Sequence, residues 1–481
     1  MLKQRTAGAA LWSAIEISAR YGVQIVVTIV LARLLAPADF GLLAMLLVVT
    51  NIGGLLIDAG FSTALIQKFS VSKDDEATVF WFSNFVSLIA ACILYFSAAA
   101  IADFYRQPAL EALTHIIAWV LPLSALGAVP DALLTKRMNF RARAQVQTVA
   151  SLASGALAIV MALQGFGVWA LVAQALLASG SRSLLLLITA QWRPRGKFNY
   201  DSFRTLFGFG GFMLLAGLIN TVFSRLQALL IGRLFDATSL GFYTLAQNAS
   251  EAPTSLVGGV LSRVGLPVFS TMSDRPEKLR EALRVSMQVS MFVFVPCMVG
   301  LALIARPAIE MIYGSKWIPA APMLSFLALA GAAWPIHILN VSALSAQGRS
   351  DKILLIELCK DFAGIIFLVT ASRFGPVAIA GSALATSLCS AAINAWYSGK
   401  MLNYGFFAQL FDQKIVFFLS ALAAIPAWCI LHWMPPGIGP TVAAVTVAGC
   451  VYISGATLLR YSAWGMLQEI MRNFLKGNRK Q

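Results

Sequence analysis

The sequence predicts an all-α polytopic membrane protein with about 14 transmembrane helices, arranged as two parallel six-helix lobes around a central cavity plus a C-terminal helix pair. Three observations carry that prediction. The composition is apolar from end to end, Lys and Arg fall mostly on one side of the apolar runs, and one turn pattern is written twice.

Of the 481 residues, 59% are hydrophobic and only 12% are charged. The mean hydropathy is +0.77. A soluble chain of this length would carry about twice that share of charge, and no stretch reads as a soluble domain. Apolar runs long enough to span a bilayer recur at 12–35, 40–66, 79–103, 110–134, 145–165, 167–190, 208–234, 240–265, 286–306, 319–346, 352–372, 375–399, 414–433 and 439–460. A membrane barrel would show short alternating strands instead. The first run is too long for a secretory signal and no clear cleavage site follows it, so it is expected to be retained.

Placing the basic residues between these runs fixes an orientation. Of the 36 Lys and Arg, 26 fall on one side, among them Lys136, Arg137, Arg141 and Arg143. Six fall on the other side: Arg33, Arg106, Arg233, Arg306, Lys316 and Arg373. Arg20, Arg182, Arg225 and Lys360 lie within runs. The asymmetry supports fourteen spans with both termini in the cytoplasm. The net charge of +15 is then a matter of topology, with no nucleic-acid partner required.

The six cysteines lie in or beside the runs, without CxxC or metal-ligand spacing. They read as small apolar residues, and no metal site or cofactor is expected. The organisation expected is an N-terminal six-helix lobe (1–190), a cytoplasmic interfacial linker (191–207), a second six-helix lobe (208–400), an extra transmembrane hairpin (401–460) and a basic amphipathic tail (461–481). In the linker, Tyr200, Phe203, Leu206 and Phe207 are expected to face lipid, with Arg204 at the headgroups. Pro122, Pro253, Pro296, Pro335 and Pro426 sit near the middle of runs, where they would kink helices and let lobes rock.

The repeated turn joins the first two spans of each lobe. Residues 29–44 read IVLARLLAPADFGLLA, and residues 229–244 read LLIGRLFDATSLGFYT. Arg33 and Arg233 can snorkel at the helix ends, Asp39 or Ser239 can cap the following helix, and Gly41 or Gly241 permits close approach. Six spans separate the copies, so both face one side of the membrane and the repeats are parallel.

The residues WSAIEISARYGVQIVVTIVLARLLAPADFGLLAM, followed by DAGFSTALIQKFSVSKDDEATVFWFSNF, resemble the N-terminal lobe of Wzx-type (WzxC-like) polysaccharide flippases of the multidrug/oligosaccharidyl-lipid/polysaccharide exporter superfamily. IGRLFDATSLGFYTLA looks like the second-lobe counterpart. The resemblance implies a flippase that carries undecaprenyl-pyrophosphate-linked oligosaccharide repeat units from the inner to the outer leaflet, where a polymerase and export machinery use them. Many relatives carry an acid shortly before the second-lobe IGR; here that place is Gln227, which puts any coupling role of that acid in doubt.

Charged groups inside a bilayer usually face a bundle interior, so they are the candidates for substrate work. Glu16 and Arg20, at i and i+4, either neutralise each other or present Arg20 to a diphosphate with Glu16 orienting it. Arg225 is a second cationic candidate and Arg182, beside Ser179, Gly180 and Ser181, a third. Asp58 and Glu251 are candidates for exchange of a proton or sodium ion; Asp131 is a further intramembrane acid. Glu357 and Lys360 read as a structural ion pair beside Asp361. His115 and His337 read as polar packing residues, and Trp81, Phe82, Trp119, Trp169 and Trp334 as interfacial or packing residues.

No catalytic constellation is present: no P-loop, no GxSxG elbow and no HExxH. The chain is therefore read as a transporter and not an enzyme. A cation-coupled exporter of drugs or small amphiphiles is the alternative; a cationic interior disfavours it. A membrane polysaccharide polymerase is a further alternative, against which the lack of a large outer loop argues.

Overall fold

The computed structural model describes residues 22–58, 60–348, 350–435 and 437–477. The described residues are helical, with no strand among them. They divide into two compact units between Thr244 and Leu245.

The first unit contains α1 (Gly22–Leu34), α2 (Pro37–Asp58), α3 (Phe61–Gln67), α4 (Lys73–Phe96), α5 (Ala98–Tyr105), α6 (Ala109–Ile117), α7 (Val120–Lys136), α8 (Phe140–Leu163), α9 (Val168–Ala190), α10 (Tyr200–Leu234) and the first residues of α11 (Ala237–Ser270). The second continues α11 and adds α12 (Pro276–Leu303), α13 (Ala305–Tyr313), α14 (Ala321–Gly331), α15 (Trp334–Ala346), α16 (Ser350–Ala371), α17 (Pro376–Leu402), α18 (Phe406–Asp412), α19 (Lys414–Trp433), α20 (Ile438–Leu458) and α21 (Ser462–Gly477).

Ten helical stretches among the described residues are long and apolar enough to cross a membrane. The expected number of fourteen is not matched by that measure. The windows 12–35, 208–234, 240–265 and 352–372 are helical where described but fall outside the ten. The last three carry Arg225 and Arg233, Glu251 and Arg263, and Glu357, Lys360 and Asp361. Prolines expected as mid-span kinks divide into two kinds. Pro296 and Pro426 do lie inside helices, whereas Pro335 opens α15 and splits the window 319–346 in two. A proline lacks an amide donor and is best placed in a first turn.

Local chemistry sets the helix starts. Ser72 accepts from the Asp75 amide (3.1 Å) while the Asp75 carboxylate accepts from the Ser72 amide (2.9 Å), a reciprocal capping box at α4. Asn139 caps α8 and Asn199 caps α10. The DAGF stretch breaks α2 from α3. Gly60 takes a left-handed conformation (φ 73°), and a Cβ there would come within 2.6 Å of the Gly210 carbonyl of α10. Asp58 Oδ1 accepts from the Ser62 amide at 3.2 Å, and Phe61 is fully buried.

The basic end of the first unit is packed by Phe61, Leu65, Val79, Val129, Leu133, Leu186, Trp192 and Leu206. This corrects the expectation for the linker. Leu206 belongs to that core and does not face lipid, whereas Phe203 is half-buried and packs on Phe61 and Phe82. Tyr200 is exposed, as expected. Residues 192–199 are tied to the start of α4: Trp192 Nε1 donates to Glu76 (2.6 Å), the Lys197 amide to Asp74 (3.1 Å) and the Asn199 amide to Thr78 (2.9 Å).

The second unit packs α12, α15, α17, α19 and α20 around Met287, Met291, Phe292 and Val295. Two of its buried polar contacts join neutral groups on different helices. Asn340 and Gln409 exchange two hydrogen bonds of 3.0 Å, and the Tyr452 hydroxyl donates to the Phe292 carbonyl at 2.8 Å. Between α17 and α18, burial and then the nearby Asp412 carboxylate raise the Tyr404 phenol well above its ordinary value. It stays protonated and donates to Asp412 (3.0 Å), which also receives Arg284 (2.8 Å). The tail helix carries Trp464 and Leu467 against this core.

Candidate functional site

The sequence candidates separate cleanly in the structure. Glu16 and Arg20 lie outside the described residues. Arg182, Arg225, Asp58 and Glu251 are described, and each has a different environment.

Arg182 stands in a charged cluster built by three helices. Small residues bring α7 and α9 together: a Cβ on Gly127 would lie 2.7 Å from Ser183 Oγ. One turn further along α7, this approach sets Asp131 beside Arg182. Arg182 Nη2 lies 3.0 Å from Asp131 Oδ2. Arg143, near the start of α8, meets the same carboxylate through two donors, Nε to Oδ1 (2.8 Å) and Nη2 to Oδ2 (3.3 Å). Two guanidinium groups thus share one carboxylate. At about 1.5 Å per residue, the Arg182 backbone is about 12 Å inside the basic end of α9. All three side chains are partly open, with relative exposures of 22% for Arg143, 23% for Asp131 and 38% for Arg182. Along α8, Gln147 and Ser151 continue the polar face of Arg143 at four-residue steps and are joined at 3.2 Å.

Arg225, in α10, is half-buried and makes no hydrogen bond or ion pair with another described residue. Its helix packs on α2, α3, α4 and α5. One turn away from the IGR stretch, Gln227 accepts a hydrogen bond from the Tyr243 hydroxyl of α11. A neutral amide therefore serves as the acceptor where an acid was looked for. Asp58 is occupied in closing the first turn of α3. Glu251 is exposed and accepts from Gln247 at 2.8 Å on its own helix. His337 lies in a neutral network: Asn394 Nδ2 is 3.2 Å from its Nδ1, Ser387 Oγ is 3.3 Å from its Nε2, and Ser387 donates to the Ala330 carbonyl. Lys360 pairs with Glu357 at 2.7 Å, the structural ion pair expected from spacing.

Sequence reasoning missed the pairing of Asp131 with Arg143 and Arg182. Asp131 was legible as an intramembrane acid, but Arg143 was counted with the loop cations and 51 residues separate Asp131 from Arg182. No spacing rule links positions that far apart.

The second unit holds a contrasting feature, an apolar cavity of about 500 Å³. Pro296, Gly300, Ala423, Ala427, Ala448 and Tyr452 are among its walls, from α12, α19 and α20. Small residues at facing positions leave this space, and its walls are almost wholly apolar.

The family described as polysaccharide biosynthesis protein matches residues 30–322. The chain belongs to that family. The Wzx-type resemblance is borne out by its relatives. Over 318 residues it is 29% identical to the succinoglycan biosynthesis transport protein ExoT of Rhizobium meliloti, covering 66% of this chain and 64% of that one. The match thus spans just under two thirds of ExoT. Over 367 residues it is 26% identical to the lipopolysaccharide biosynthesis protein WzxC of Escherichia coli, covering 75% of this chain and 74% of that one. In fold it is similar to the lipid II flippase MurJ in an inward closed conformation, with TM-score 0.75 and 13% identity over 94% of this chain and 98% of that one. This member of the polysaccharide biosynthesis family is a multi-pass helical membrane protein with a transporter fold.

Proposed function

We propose that the protein translocates undecaprenyl-pyrophosphate-linked oligosaccharide repeat units from the inner to the outer leaflet of the bacterial cytoplasmic membrane, by alternating access of two lobes. The observation that carries this reading is a pair of guanidinium groups within the helices that keep open donors: Arg182 reaches Asp131 through one nitrogen, and Arg225 makes no hydrogen bond or ion pair with another described residue. A diphosphate is the natural counter-charge for such groups, because a planar guanidinium binds phosphate oxygens in pairs. The family membership points the same way. The apolar cavity among α12, α19 and α20 suits a polyprenyl chain that stays out of water while its headgroup crosses. Of the coupling candidates, Glu251 has the exposed carboxylate; exchange of a proton or sodium ion there would drive the cycle. Both termini lie in the cytoplasm, and a polymerase and export machinery take up the product.

The test uses cells deleted for the gene and supplied with the wild-type chain or Arg225→Ala. Polyprenyl-linked intermediates are extracted and assigned to a leaflet. Complete repeat units held on the cytoplasmic face by Arg225→Ala, with normal protein in the membrane, are the expected result. Normal transfer to the outer leaflet in the full deletion would overturn the reading and point to a polymerase or a drug exporter.

A further inference from the structure

The Asp131 cluster has an asymmetry. Arg143 holds the carboxylate through two hydrogen bonds and Arg182 through one. Paired charge-assisted bonds are the stronger and more rigid kind, so Arg182 is the arginine that can leave. If it leaves, the carboxylate is still neutralised by Arg143. Nε and Nη1 of Arg182 make no hydrogen bond to another described residue, and its side chain is the most open of the three. A guanidinium with unused donors this far inside the helix ends is costly against lipid chains. Its open side therefore calls for water or an anion.

We propose that Asp131 is a positioning residue for a diphosphate site: it keeps the Arg182 guanidinium at the place a diphosphate headgroup takes, and that headgroup displaces Asp131 from Arg182 while Arg143 retains it. The cluster works by ion exchange. An empty site keeps Arg182 partly neutralised, so that the chain need not hold a bare cation within the membrane. A loaded site swaps one weak carboxylate contact for contacts to phosphate oxygens. The carboxylate also weakens binding, which allows the headgroup to be released. The inference rests on the proposed transport of a diphosphate-linked lipid. The same chemistry would fit the phosphate of an anionic phospholipid, and the experiment separates the two sources.

The full chain is reconstituted in nanodiscs of phosphatidylcholine, and the unfolding midpoint is followed as inorganic pyrophosphate is added; a ligand bound only to the folded state raises it. Wild type should respond. Arg182→Ala should lose the response. Asp131→Asn, which removes the competing carboxylate, should bind pyrophosphate about tenfold more tightly, equivalent to about 1.4 kcal/mol, yet support slower export in cells. Those opposite signs distinguish positioning from simple support of the fold, which would weaken both. If Asp131→Asn does not fold, Arg182→Lys carries the test: it should respond, but more weakly than wild type. Equal responses of wild type and Arg182→Ala would overturn the proposal. A response abolished by Arg225→Ala alone would also do so, while leaving the flippase reading intact. Loss of the wild-type response in phosphatidylglycerol discs would assign the site to phospholipid and overturn the diphosphate version.

Discussion

The turn at residues 33–44 and the turn at 233–244 meet in the structure, and comparing them shows which of their shared letters matter. A Cβ added to Gly41 would overlap the Ala237 carbonyl, and one added to Gly241 would overlap the Pro37 carbonyl. Each glycine thus receives the backbone at the start of the other copy's helix, in a mutual contact that treats the two turns alike. The caps are not alike. In the first copy the Asp39 carboxylate accepts from the Ala36 amide at 2.9 Å, reaching back from the third helical position. In the second, Asp236 accepts from the Ser239 amide at 2.6 Å, so the cap is Asp236 and not the expected Ser239. The arginines differ too. Arg33 is exposed, while Arg233 lies over the Phe104 ring at 5.2 Å with its Nη1 buried. Close backbone approach is the common requirement, and capping is met by whichever carboxylate is at hand.

The largest effect expected from this comparison comes at the glycines. Gly41→Val and Gly241→Val each force a side chain into fixed backbone, which costs ~2–3 kcal/mol or more. Both should lower the unfolding midpoint and polymer export to a similar degree; a benign variant at one position would break the equivalence of the copies. The caps should give a smaller and unequal loss. Asp236→Ala removes an N-cap and should cost about 1 kcal/mol, whereas Asp39→Ala removes only the reciprocal half of a capping arrangement and should cost less. Thermal unfolding of the two variants side by side decides the order. The smallest effect is at the arginines. Arg233→Leu loses a cation–π contact of about 0.5–1 kcal/mol and should lower the midpoint slightly. An unchanged midpoint would show that the Phe104 contact contributes little.

The same contrast runs through the functional residues. The Glu357–Lys360 pair was legible because three residues along a helix place two side chains on one face. The Arg182–Asp131–Arg143 cluster was not, because its geometry depends on how three helices pack, and that packing turns on Gly127 meeting Ser183. The DAGF stretch could be noticed but not interpreted from sequence. Asp58 was a coupling candidate; in the structure it closes α3 while Gly60 admits α10. Leu206 misled because an apolar helix face looks the same whether lipid or protein covers it.

By itself the sequence determined the membrane class, the helical windows and the repeated turn. Hydrocarbon demands long apolar runs with their backbone bonds satisfied internally, and that demand is written locally in composition and period. Only the tertiary structure decided which charges neutralise each other, which carboxylate caps a helix and which small residues leave a cavity. Inside a bilayer the hydrophobic effect does not choose between helix faces; close packing and polar pairing do, and both depend on residues far apart in the chain.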